Sequence, residues 1–192
     1  MALLLRSSLA VAALLATSAA AFTQETVDNP YYRYWSKSKV GSTVTLKETT
    51  KSTVNAAGEK GEDVKQITHK LIELTADKAV VETVVTEGEV FGFVESAPTK
   101  HIYPAKMSKE LLQDLLKETG AKGAETTIKV GDKDVKVMHL TGTIKGKDDE
   151  VAFSIWLTEE VPGGIAKRVR TSKVKGEVVA ETTLEVLKFS KN

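Results

Sequence analysis

Beyond Glu125 the chain shows no stretch with helical spacing. Period-two segments follow one another to the C-terminus, each closed by a turn signal. Glu125–Val130 leads through Gly131-Asp132 into Asp134–Thr143. Gly146–Asp149 turns into Glu150–Thr158, Val161-Pro162-Gly163-Gly164 turns into Ile165–Ser172, and Gly176 joins that segment to Val178–Phe189. Strands linked this tightly pair antiparallel, because a parallel crossover needs a dozen residues or more. Strands and helices do not alternate, so a parallel α/β sheet is excluded.

The first half reads the same way, with two helical interruptions. After a polar lead-in over 22–29, Asp28 is the expected N-cap of a short helix through Asn29–Trp35. Three- and four-residue spacing puts Tyr31, Tyr32 and Trp35 on one face of it. Ser42–Thr50 alternates as a strand, and 51–62 is a polar, glycine-bearing loop. Val64–Thr75 carries Ile67, His69 and Leu71 on one face and turns at Asp77-Lys78 into Ala79–Thr86. There Val80, Val81, Val84 and Val85 make both faces apolar, which predicts an interior strand. Val90–Glu95 and Lys100–Tyr103 are extended. Ser108 then caps a helix over 108–119, with Leu111, Leu112, Leu115 and Leu116 in one stripe and Gly120 as the stop. The expectation is a single β-rich domain of about ten strands, with that inserted helix and the short N-terminal one.

The 192-residue chain opens with Arg6, an apolar run from Leu9 to Ala16 and the small residues Ser18-Ala19-Ala20-Ala21. That is the layout of a secretory leader, with an apolar core too short for a membrane span. Residues 1–21 are therefore set apart as a signal peptide, and 22–192 are expected to work outside the cytoplasm, in the periplasm or beyond. No cysteine is present, so no disulfide, thiolate metal site, thiol nucleophile or lipidated cysteine enters the reading. Lys and Arg total 27 against 26 Asp and Glu, and removing Arg6 makes them equal. A balanced chain has no electrostatic basis for binding nucleic acid, and no later apolar run is long enough to span a bilayer.

The strands imply one dry face. Val151, Phe153, Ile155 and Leu157 occupy one parity, with Ala152, Ser154 and Trp156 on the other. In the last strand Val178, Ala180, Leu184 and Val186 oppose Glu181, Thr183 and Glu185. Leaving apolar surface in water costs about 25 cal/mol per Å², and four leucines on one helix cannot cover so many strands. The sheet must curl on itself into a barrel or half-barrel, or something else must fill the gap. The candidate lining of such a gap is Leu111, Leu112, Leu115, Leu116, Phe153, Ile155 and Leu184, and the candidate ligand is an apolar small molecule or lipid. The alternative is a structural or protein-interaction module with no small ligand, its protein partner unspecified.

Catalytic signals are weak. His69, His101 and His139 have no metal-chelating spacing, although His69 and His139 could meet across strands. Asp148-Asp149-Glu150 lacks a calcium-loop pattern, G-x-S-x-G is absent, and Val161–Gly164 is followed by a strand rather than a phosphate-binding helix. No catalytic residue, metal site or cofactor is assigned, and an enzyme is not expected.

Two blocks carry a resemblance. Asn29-Pro30-Tyr31-Tyr32-Arg33-Tyr34-Trp35 with Lys39-Val40-Gly41-Ser42, and Trp156-Leu157-Thr158-Glu159-Glu160-Val161-Pro162-Gly163-Gly164-Ile165-Ala166-Lys167, resemble a family of exported bacterial proteins found mainly in planctomycetes. The layout of helix, curved antiparallel sheet, inserted helix and further sheet is similar to the LolA/LolB lipoprotein-carrier fold. That resemblance implies an unclosed β half-barrel with a helical lid over an apolar cavity, the 108–119 helix lying in the concave face. No functional residue is implied by it.

Overall fold

The computed structural model describes residues 25–53, 61–89, 92–110, 112–113, 120 and 122–192. The leader and most of the 108–119 helix lie outside the described residues. Among those described there are twelve strands and one complete helix: β1 (Thr26–Asp28), α1 (Pro30–Trp35), β2 (Thr43–Ser52), β3 (Gly61–Leu74), β4 (Lys78–Glu89), β5 (Gly92–Glu95), β6 (Thr99–Pro104), β7 (Lys106–Ser108), β8 (Lys122–Val130), β9 (Lys133–Lys145), β10 (Asp149–Leu157), β11 (Ile165–Val174) and β12 (Glu177–Ser190). No described helix is long and apolar enough to cross a membrane.

Ten strands form one antiparallel sheet in the order β5-β4-β3-β2-β12-β11-β10-β9-β8. β6 pairs with the opposite end of β4 from β5. The last strand is inserted between β2 and β11, so the two halves of the chain are joined at β2–β12. β8 does not meet β5 or β6, and the sheet is curved but unclosed. Register shifts at Leu71/Glu73, Trp156/Leu157, Ser172/Lys173 and Val186/Lys188 bend it. In a flat sheet β8 would stand roughly 19 Å from β12, four strand spacings away. Here Ile128 and Val130 of β8 share one cleft with Val169 of β11 and Val186 of β12. Two short strands missing from the sequence reading, β1 and β7, form a separate ribbon.

The expectation of one continuous dry face is corrected by the register. Residues directly opposite on paired strands share a face. One row runs His139–Trp156–Lys167–Glu185–Lys47–Gln66, so those side chains lie together. On β2–β4 the core lies on the other face, where Val44, Leu46, Leu71 and Val81 are buried. On β9 the buried residues are Val135 and Val137, which share the face of Trp156. The packed side of the sheet therefore changes between its halves. β10 lies at the change, and from Glu150 to Leu157 every residue is half-buried.

α1 is held by the turn between β10 and β11. Its N-cap is Asn29, whose Oδ1 accepts from the Tyr31 N–H at 3.0 Å, with Pro30 in the first turn. The expected cap, Asp28, instead lies in β1 and pairs with Lys106, whose ammonium holds the carboxyl below its usual range. Trp35 is 4% exposed and Val161 fully buried. Tyr32 packs against the core and donates its hydroxyl to the Thr75 carbonyl at 2.8 Å. Tyr31 leaves the expected apolar face and stacks, mostly exposed, on Tyr103 at 5.7 Å. Gly163 and Gly164 have φ of 78° and 84°, a region side chains avoid. A Cβ on Gly163 would stand 2.7 Å from the Trp35 ring, and one on Gly164 would enter the Tyr34 ring. Arg33 adds an ion pair to Glu159 at 3.4 Å. The two sequence blocks singled out above are thus brought together as one packing unit.

Replacing Gly163 or Gly164 with Ala is expected to destabilise the fold by about 2–4 kcal/mol, combining backbone strain and overpacking. At Gly131, also at positive φ but with open space around it, the same change should cost about 1–2 kcal/mol. Urea midpoints at constant slope measure the difference.

Candidate functional site

The register of β9 against β10 builds an apolar ladder. Met138 opposes Leu157, Leu140 opposes Ile155, Gly142 opposes Phe153 and Ile144 opposes Val151. All share a face, and none of the apolar members is fully buried: Met138 is 38% and Ile144 46% exposed, and the others are half-buried. Gly142 leaves a gap in front of Phe153. Gly120, Lys122, Gly142, Ile144 and Phe153 border an open cleft of about 910 Å³ there.

Beside the ladder, β11 sets Arg168 next to Ile155 and Arg170 next to Phe153. Arg168 reaches across β12 to Glu48, Nη2 to Oε2 at 3.3 Å. Leu184 lies between them in the row and is 3% exposed. The pairing register puts Phe153, Ile155 and Leu184 on one face, where Leu184 is a core residue while Phe153 and Ile155 keep accessible surface. Of the predicted leucine stripe, Leu112 is helical and half-buried. Leu111, Leu115 and Leu116 lie outside the described residues.

A second concavity lies on the opposite face and was not anticipated. His139 and Trp156 stack at 4.3 Å with planes 4° apart, and Lys167 stands over the indole at 5.8 Å while bonding Glu185 at 2.6 Å. The buried Nε2 of His139 has no hydrogen-bond partner among the described residues. With Ile128, Val130 and Val169, the side chains of Trp156, Lys167 and Glu185 border a cleft of about 580 Å³. The signal was available in the alternation of Val135, Val137 and His139, which required the opposite parity to that chosen in β10.

His69 and His139 do not converge, because they lie on opposite faces of the sheet. Among the described residues, no three His, Asp or Glu side chains gather closely enough to hold a metal ion. Glu150, from the acidic turn, pairs with Lys173 at 3.1 Å and Lys145 at 3.8 Å. His69 stands between Val44 and Thr83, its Nδ1 2.8 Å from the Thr83 hydroxyl. Burial, reinforced by nearby His101, lowers its pKa from 6.5 to about 4.

No family model matches the chain, and no curated protein does. Among solved structures it is similar to a putative outer membrane lipoprotein-sorting protein domain from Vibrio parahaemolyticus, at 10% identity over 83% of this chain and 89% of that one, with a TM-score of 0.23. It is also similar to a LolA superfamily protein from Nitrosomonas europaea, at 10% identity over 86% and 94%, with a TM-score of 0.22.

His69 generates a pH prediction. Between 6.5 and about 4 the unfolded chain binds a proton that the folded chain refuses. Stability is therefore fully present above about pH 6.5 and falls as pH drops towards about 4, by up to roughly 3 kcal/mol. His69→Gln, which keeps a partner for Thr83, should flatten this part of the pH profile in chemical denaturation.

Proposed function

We propose that the chain is an exported, non-enzymatic binding protein that holds an apolar or lipid-like ligand against the β9–β10 ladder. Export rests on the leader pattern in residues 1–21. Binding rests on one observation: seven apolar side chains on two adjacent strands of an open sheet keep solvent-accessible surface beside a cleft. Contiguous exposed apolar surface of this kind marks a binding site. The ligand replaces the contacts that a closed barrel would supply from its own far wall. Gly142 gives it depth, because on β9 no side chain stands opposite Phe153.

The test is fluorescence titration with N-phenyl-1-naphthylamine, whose emission rises in apolar surroundings. The protein should bind it saturably. Phe153→Asp and Ile155→Asp should each weaken binding at least about tenfold, by placing a charge among apolar groups, with the far-ultraviolet circular dichroism of the sheet unchanged. Equal binding by the wild type and both variants would remove the ladder as the site. The alternative, a protein-interaction module, is favoured by the edge of β8, whose outer backbone groups meet no strand among the described residues. That reading gains if the probe does not bind.

A further inference from the structure

The charges around the ladder go one step further than its apolar character. On the ladder's face, the strands β3, β2, β12 and β11 carry the cations Lys65, Arg168 and Arg170. Two are committed. Lys65 bonds Glu87 at 2.9 Å and Asp63 at 3.5 Å, and Arg168 bonds Glu48 at 3.3 Å. Arg170 has no ion pair or hydrogen bond among the described residues and is exposed. Its position explains why. Its neighbours on that face are Phe153 and Thr182 across the strands and Arg168 and Ser172 along its own, and its diagonal neighbours are apolar. No carboxylate occupies an adjacent position.

We infer that Arg170 is the headgroup contact of the site, and that the preferred ligand is an acyl amphiphile with an anionic head rather than a neutral apolar molecule. This rests on the binding reading above. The hydrocarbon lies along Phe153, Ile155 and Leu140, and the head meets the guanidinium one strand away, where a phosphate or carboxylate can accept a bidentate pair of N–H bonds. A second positive charge, Arg168, lies two residues along the same strand and is neutralised by Glu48. Arg170 is thus the cation of β11 on this face that is left without a carboxylate, and an anionic head can supply one.

The experiment compares dodecyl phosphate with dodecyl maltoside, both below micelle formation, by calorimetric titration of the wild type, Arg170→Gln and Glu48→Gln. The wild type should prefer dodecyl phosphate. Arg170→Gln should weaken dodecyl phosphate about fivefold, as for a partly exposed charge pair, and leave dodecyl maltoside unchanged. Glu48→Gln, which releases Arg168, should tighten dodecyl phosphate severalfold, and added salt should reduce the preference. Equal affinity for the two amphiphiles, with Arg170→Gln moving neither, overturns the headgroup assignment and leaves the apolar ladder standing. Failure of both amphiphiles to bind overturns the ladder as well.

Discussion

The indole of Trp35 fits where it does because Gly163 has no side chain. α1 is six residues long, far below the length at which a helix persists alone in water. Its existence depends on that docking. The same contact fixes the turn between β10 and β11 at positive φ, and through it the register in which Ile155 meets Arg168. Tyr34, half-buried against Gly164, has its phenol pKa raised by that partial desolvation. Arg33 and Lys37 close the outside of the joint on Glu159. A local fit between two rings and two glycines therefore sets the geometry in which the ladder and its neighbouring arginines are presented.

The insertion of β12 between β2 and β11 gives the sheet its second defining property. It places strands from the two ends of the chain side by side, so Glu48 and Arg168 can meet across Leu184. The bridge covers a core leucine with a neutralised pair. On the same face one strand position away the covering stops, and Arg170 and Phe153 face solvent together. Buried core and available site thus differ by a step of two residues along β11.

Much of the architecture could be read from residue pattern. Gly131-Asp132, Val161–Gly164 and Gly176 mark real turns, and period two correctly placed Phe153 with Ile155 on one face of β10. What could not be read was strand order, and with it which face is packed at each strand. Val135 and Val137 look like Val44 and Leu46 in sequence but are buried on the opposite side. The cap of α1 was displaced by one residue because Asp28 has a stronger partner in Lys106, a contact between residues far apart in the chain. Tyr31 was expected inside because helical spacing allows it. The stacking surface offered by Tyr103 sits outside, and it comes from a strand that helical spacing says nothing about. His139 was treated with His69 as a possible pair, and only the pairing register separates them.

The half-burial of every residue from Glu150 to Leu157 has a mechanical corollary. A strand tightly packed on one side resists bending towards that side, since bending would compress close-packed atoms. β10 is wedged hard on neither. The buried residues of β2–β4 and of β8–β9 belong to one core cluster, and β10 runs between them as a strip with no fully buried residue from Glu150 to Leu157. Any change in the sheet's curvature concentrates in that strip, and with it in the spacing of the side chains it carries.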